Sequence, residues 1–265
     1  MLRRSATKLR KLVDPNYYEE YFYNEREHWW FRARESILRG QIKRAVSRGY
    51  LPERPRILNI GAATGRTSEW LAEFGPVVSL EYDTECCRLT RSRTGIDVTQ
   101  GSVLDLPWAD QEFDLTCAFD VIEHVDDDAK AAGEMQRVTR PGGMLFVTVP
   151  AFRMLWSEHD VINHHFRRYT PAELRRLFSN CDIRLCCGFN TMLFLPIAAY
   201  RMLNPLLSAP FRRDTALKSD FTRARLSLAE PILETLFRFE RTWLDRGFGP
   251  PWGVSAMLVA RRPKE

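Results

Sequence analysis

Several things are missing from this sequence, and each absence removes a class of protein. No apolar run reaches the roughly 20 residues that a membrane-crossing helix needs; the strongly apolar stretch Met192 to Leu207 is interrupted by Pro196, Arg201, Asn204 and Pro205. The six cysteines, Cys86, Cys87, Cys117, Cys181, Cys186 and Cys187, contain no Cys-x-x-Cys. Zinc-ribbon spacing and a dithiol redox motif are thereby excluded, and reduced core thiols are expected. Met1 to Val13 carries five basic residues but neither a continuous apolar run nor a small-residue cleavage site, so it does not read as a secretory signal. A cytoplasmic location, or a peripheral one at the inner face of a membrane, is expected. Nowhere does a basic stripe with interleaved aromatics suggest an RNA-binding module.

What is present describes a globular chain. Of 265 residues, 45% are hydrophobic and 28% charged, enough to build a sizeable core and too apolar for an extended disordered body. The net charge of +5 is modest and much of it lies near the ends, so it is weak evidence for an anionic partner.

The organising stretch is Arg56 to Leu71, RILNIGAATGRTSEWL. Ile57 to Ile60 reads as a buried parallel strand, Gly61 to Gly65 as a turn of small residues, and a helix begins near Thr67. This arrangement offers bare backbone and unpaired N–H groups to a ligand. Twenty positions after Gly61, the strand Val77 to Leu80 ends in Glu81. A carboxylate there can accept both hydroxyls of a ribose, pointing to an adenosine-containing ligand. The turn reads Gly-x-x-x-Gly rather than Gly-x-Gly-x-x-Gly, which argues against a pyrophosphate.

The turn, the Glu81 strand tip, Leu106-Pro107-Trp108, Phe113-Asp114-Leu115, Asp120-Val121-Ile122-Glu123-His124-Val125 and Arg140-Pro141-Gly142-Gly143 together resemble class I S-adenosylmethionine-dependent methyltransferases. The resemblance covers Arg56 to Pro150 most strongly. Two positions depart from it: Asn59 stands where the family usually has an acid, and Ala63 where it usually has a glycine. The resemblance implies S-adenosyl-L-methionine as cofactor, held by Asn59, Gly61, Ala62, Gly65, Glu81, Tyr82, Ser102, Val103 and Asp120. It also implies a Rossmann-like α/β fold, a doubly wound, seven-stranded, mostly parallel sheet with its last strand antiparallel. The family commonly has an acid at the Ser102 position; Ser102 can still accept, without charge.

Taken in order, residues 1–55 are expected to form an N-terminal helical cap, 56–190 the cofactor-binding core, 191–250 a helical insertion or lid and 251–265 the last strand and tail. Strands are placed near 56–60, 77–82, 96–100, 113–119, 143–149, 182–189 and 253–261, with helices near 66–74, 84–93 and 127–139. The aromatic run Tyr17 to Tyr23 and His28-Trp29-Trp30-Phe31 lies on helices spanning 16–49, laid on the cofactor mouth or packed on the sheet. Arg140 to Gly143 reads as the turn into the fifth strand. Asp126, Asp127 and Asp128 read as a helix N-cap and first turn. Thr170-Pro171-Ala172-Glu173 is a capping box. Phe211 to Arg225 is basic and polar, and Leu226 to Leu244 is helix-periodic.

Four of the five histidines fall between His124 and His165. His159 and His165 sit with Arg167, Arg168 and Tyr169 in a short segment that in form resembles the loop of methyltransferases from bacterial cell-surface polysaccharide pathways. Methyl transfer to an oxygen, less readily a nitrogen, of a small-molecule, saccharide or lipid-linked acceptor is expected. His124 or His159 would serve as base, with His165 nearby, Arg167 and Arg168 binding an acidic acceptor group and Tyr169 orienting it. Asp120, Glu123 and His124 resemble the divalent-ion segment of ubiquinone-pathway O-methyltransferases and small-RNA 2′-O-methyltransferases. They are read here as pocket wall, so no metal is expected, with Mg²⁺ or Mn²⁺ as the alternative. Two rival functions stay open, a non-catalytic cofactor-binding partner protein and an RNA methyltransferase. Nucleic acid is not an expected partner, and membrane-surface contact is allowed.

Overall fold

The computed structural model describes residues 17–208 and 229–264; the expectations for Met1 to Val13 and Phe211 to Arg225 lie outside the described residues. Seven strands, β1 (Ile57–Ile60), β2 (Val77–Glu81), β3 (Thr99–Gln100), β4 (Phe113–Phe119), β5 (Thr139–Pro150), β6 (Asp182–Phe189) and β7 (Ser255–Arg261), form one sheet. Their order is β3-β2-β1-β4-β5-β7-β6. The pairs from β3 through β5 are parallel and β7 is antiparallel to both neighbours. The chain steps outward from β1 to β3 and then returns to β4 on the other side of β1, so a crevice opens at the carboxyl ends of β1 and β4.

The described helices are α1 (Tyr17–Glu27), α2 (Trp29–Ser47), α3 (Arg66–Leu71), α4 (Thr84–Thr94), α5 (Asp128–Val138), α6 (Glu158–Ile162), α7 (Pro171–Leu177), α8 (Phe194–Ser208), α9 (Glu230–Phe239) and α10 (Arg241–Leu244). They cover both faces of the sheet. On one face Ile37, Leu38 and Ile42 of α2, Trp70 of α3, Phe237 of α9 and Leu244 of α10 bury against Leu115, Phe146 and Met257. On the other, Ala131, Met135 and Val138 of α5 and Leu174 of α7 bury against Leu58, Leu145 and Leu258. Helix α2 is therefore part of the core layer. Every residue of β4 is buried, Asp114 and Thr116 included, as expected of a central strand covered on both faces.

Two boundaries differ from the sequence reading. The third strand is only two residues long, because the Val98 carbonyl is taken by the Arg91 guanidinium instead of a neighbouring strand. The fifth strand already begins at Thr139, which pairs with Phe113, so Arg140 to Gly143 is a bulged strand start and not a free turn. Gly142 has φ of 76° and its N–H donates to the Arg262 carbonyl at 3.0 Å. A Cβ on Gly143 would lie 2.9 Å from the Asp114 carbonyl oxygen, which accounts for the glycine pair. The capping box at Thr170 and Glu173 and the Asp127 cap of α5 form as the sequence predicts. All six cysteines are free thiols, five of them buried.

Between β6 and β7, α8 runs through Pro196 and Pro205, and the fully buried Glu240 ties its start to the α9–α10 junction. Glu240 accepts from the Thr191 and Met192 amides and from the Thr191 hydroxyl. Among the described residues no helix is long and apolar enough to cross a membrane. Because Ile42 is wholly buried beneath the sheet, Ile42→Ala is expected to destabilise the whole molecule by about 2–5 kcal/mol. Denaturant unfolding followed by circular dichroism measures this; an unchanged midpoint would mean that α2 detaches without disturbing the core.

Candidate active site

The turn after β1 is built from backbone that only small residues allow. Gly61, Ala63 and Gly65 have φ of 75°, 47° and 95°, and a Cβ on Gly61 would come within 2.5 Å of Val121 Cγ2. The Gly61 and Ala62 amides both donate to the Leu80 carbonyl at 2.9 Å. Glu81 completes the stitch: its Oε2 accepts from Ala63 N–H and its Oε1 from Asp83 N–H, each at 2.8 Å. Burial raises its pKa, against the opposing pull of those amides. Each oxygen keeps a second lone pair, so the group fits a ribose diol. Tyr82 stands exposed beside it, and buried Val103 offers an apolar wall.

Three of the residues named from sequence as cofactor contacts make hydrogen bonds within the protein. Asn59 is fully buried, donating to Ser68 Oγ at 2.8 Å; Ser68 in turn meets Ser79 Oγ at 2.8 Å. Its Nδ2 thus joins an interior polar chain between β1, α3 and β2, while its Oδ1 has no hydrogen-bond partner. Ser102 Oγ accepts from the Leu104 amide, making it a turn cap. Asp120, in left-handed backbone at φ 57°, accepts from Arg34 Nη2 at 2.7 Å and from Thr148 Oγ1 at 3.2 Å. It belongs to an ion pair rather than to the metal alternative proposed from sequence.

Two polar residues of the N-terminal helices reach this region unannounced by any motif. Arg34 lies between the Trp30 and Phe119 rings, its guanidinium carbon 5.3 and 5.7 Å from their centroids. Glu25 is buried and accepts from the Thr64 hydroxyl inside the glycine turn. Their nearest signal was the high density of charge among aromatics in a segment read as cap helices.

On the acceptor side the structure gathers the histidines. The His124 and His165 rings lie 4.6 Å apart, centroid to centroid, and those of His159 and His165 6.1 Å. Asp160, which follows His159 in the chain and has no role of its own in the sequence reading, is fully buried and accepts from His165 Nδ1 at 2.8 Å and from Arg168 Nε and Nη2 at 2.8 and 2.9 Å. Ser157 N–H adds a fourth bond at 2.7 Å. Burial alone would raise the Asp160 pKa, but the His165 and Arg168 bonds outweigh it and hold the carboxyl well below the usual carboxylate range. An ionised Asp160 fixes the proton of His165 on Nδ1 and leaves Nε2 as the basic nitrogen.

Arg168 and Tyr169, expected from sequence at the acceptor, are both engaged within the protein. Arg168 is consumed by Asp160 and the Ala151 carbonyl, and the buried Tyr169 hydroxyl donates to Asp128 at 2.9 Å. Arg167 likewise pairs with Asp128 at 2.9 Å. These three brace the rim. Glu123 is wholly buried with neither carboxylate oxygen hydrogen-bonded, and desolvation, then the Asp120 charge, push its pKa well up. Desolvation in the crowded rim and then the His165 ring lower the pKa of His124, although part of its surface reaches solvent. Glu123, His124 and His165 each offer a ligand atom within 4.8 Å of the others, a triad in which His165 replaces the Asp120 named from sequence.

The buried Glu25 yields a pH signature. Desolvation raises its pKa from 4.5 to about 7, against the Thr64 hydrogen bond. Between those values the unfolded chain ionises while the folded one keeps its proton, so stability is full below 4.5 and declines as pH rises to about 7. Glu25→Gln should abolish that part of the decline in melting temperature; parallel curves for the two proteins would contradict the assignment.

A methyltransferase domain family model matches residues 58–147, from β1 to within β5. Over 164 residues the chain is 30% identical to a "Probable S-adenosylmethionine-dependent methyltransferase" of Mycolicibacterium smegmatis, covering 60% of this chain and 61% of the relative. Over 127 residues it is 34% identical to the demethylmenaquinone methyltransferase of Renibacterium salmoninarum, covering 47% and 54%. Each match thus spans less than two thirds of the relative. A solved S-adenosylmethionine-dependent methyltransferase structure from Methanosarcina mazei superposes with a TM-score of 0.52 at 14% identity, covering 83% of this chain and 98% of the other. Together with the sheet order and the glycine turn, these findings give the chain the Rossmann-like class I methyltransferase fold, with methyltransferase-domain similarity over residues 58–147.

Proposed function

We propose that the protein transfers a methyl group from S-adenosylmethionine to a hydroxyl oxygen of a small-molecule, saccharide or lipid-linked acceptor. The observation that carries this reading is the Asp160–His165 pair beside the carboxyl end of β4. When bound, S-adenosylmethionine supplies a methyl already made electrophilic by the sulfonium. The chain's own residues then have three tasks. Glu81, the Gly61–Gly65 turn and Val103 hold the adenosine half; the rim braced by Arg168 and Tyr169 positions the acceptor and limits water; His165 Nε2 takes the hydroxyl proton, with Asp160 stabilising the imidazolium that forms. The name of the Renibacterium relative, demethylmenaquinone methyltransferase, supports a small-molecule acceptor.

A second reading rests on Glu123. An unpartnered buried carboxyl beside two imidazoles has the donor set of a site for Mn²⁺, Fe²⁺ or Zn²⁺. Glu123, His124 and His165 would hold the ion, and a cation there would bind and polarise an acceptor hydroxyl. Transfer of labelled methyl from S-adenosylmethionine to extract components, with and without chelator, separates the readings. The base reading expects full activity after chelation, and a loss of roughly 10²–10⁴-fold in His165→Ala with S-adenosylhomocysteine affinity retained. Abolition by chelator, restored by one added metal and absent in Glu123→Gln, would instead establish the cation. No labelled product under either condition would leave a cofactor-binding protein without catalysis.

A further inference from the structure

The outward face of α8 is unusual for a surface helix. Among residues 194–202, whose burial is described, the exposed positions are Leu195, Pro196, Ala199, Tyr200 and Met202, with no charged residue among them, and Leu195, Tyr200 and Met202 are 74%, 61% and 58% exposed. A helix bordering water ordinarily gives that face to polar side chains. The opposite side is spoken for: Ala198 is buried and Ile197 packs on the core. No acidic residue occurs anywhere on α8.

This face is continuous with the acceptor rim. The Phe194 ring meets that of Phe152 at 5.6 Å, and the Arg201 guanidinium donates to the Leu155 carbonyl. The one-turn 3-10 helix Arg153–Leu155 thus lies against α8. It exposes Met154, leads through exposed Trp156 into α6, and so runs directly to His159 and His165.

We propose that the α8 face and the Met154–Trp156 turn rest in the headgroup region of an anionic bilayer, and that the methyl acceptor is an amphiphile presented from it. The second clause rests on the methyltransferase reading; the first does not. Charge selects the bilayer over a second copy of the chain. Arg153 is exposed beside Met154, and the chain that follows α8, residues 209–228, contains five basic and two acidic residues. Two copies of the chain repeat the same excess of positive charge, which anionic headgroups neutralise. Tyr200 and Trp156 are amphipathic ring types that settle at such an interface, and the depth is that of a helix lying in the surface plane.

The test is co-sedimentation of the full chain with vesicles of phosphatidylcholine alone or mixed with phosphatidylglycerol, beside Leu195→Glu/Met202→Glu. Melting temperatures and S-adenosylhomocysteine affinities are measured on the same preparations. Binding should favour the phosphatidylglycerol vesicles and weaken about tenfold or more in the double variant, whose melting temperature and nucleoside affinity stay at the wild-type values. Wild-type protein remaining in the supernatant with both vesicles would overturn the bilayer contact. So would a double variant that pellets equally well, or a wild-type dimer that the variant turns into a monomer. Vesicle binding in a protein without S-adenosylhomocysteine affinity would keep the contact and remove the amphiphilic acceptor.

Discussion

One carboxylate fixes the geometry on which the cofactor half of this molecule depends. By accepting from the Ala63 and Asp83 amides at once, Glu81 joins the turn after β1 to the tip of β2 and holds that turn in backbone with positive φ. Left-handed backbone costs on the order of 1–3 kcal/mol at a non-glycine residue and persists where its surroundings over-determine it. The surroundings here are parallel strands β1 and β2, the Leu80 carbonyl taking two amides, and Val121 closing the space above Gly61. The same carboxyl-end edge carries Asp120 and Phe152 at φ of 57° and 54°, each just past a strand.

The acceptor half is organised by a second buried carboxylate. Asp160 gathers Arg168, His165 and Ser157, and in doing so gives one imidazole a defined proton and a basic nitrogen. An unpaired charge at that depth would be strongly destabilising; the bidentate arginine offsets the desolvation and leaves the histidine bond for chemistry. Beside this rim lies the exposed apolar face of α8, joined to it through Phe152 and Phe194.

Much of the fold was legible because its signals are local. Ile57 to Ile60, Phe113 to Phe119 and Asp182 to Phe189 alternate or run apolar in ways that few other structures satisfy, and Thr170 to Glu173 is a capping box whose bonds are all within one turn. The places where the reading slipped depend on distant partners. Arg140 to Gly143 looked like a connecting turn, since nothing in those four residues announces pairing with Arg262. Arg168 and Tyr169 looked like acceptor ligands because a sequence displays a charge or a hydroxyl but not the Asp160 or Asp128 that satisfies it. Asn59 was assigned by position within a motif, yet its neighbours Ser68 and Ser79 form an interior polar chain that draws its amide inward. Arg34 and Glu25 went unnoticed for the converse reason: they lie far in sequence from the turn and strand tip they support.

The central claim is that adenosine is gripped between the glycine turn and Glu81. Isothermal titration of the purified, folded chain with S-adenosylhomocysteine, repeated on Glu81→Ala, tests it most directly. The account predicts binding to one site per chain that weakens about tenfold or more when both hydroxyl acceptors are removed; absence of binding by the wild-type protein, or equal affinity in the variant, would contradict it.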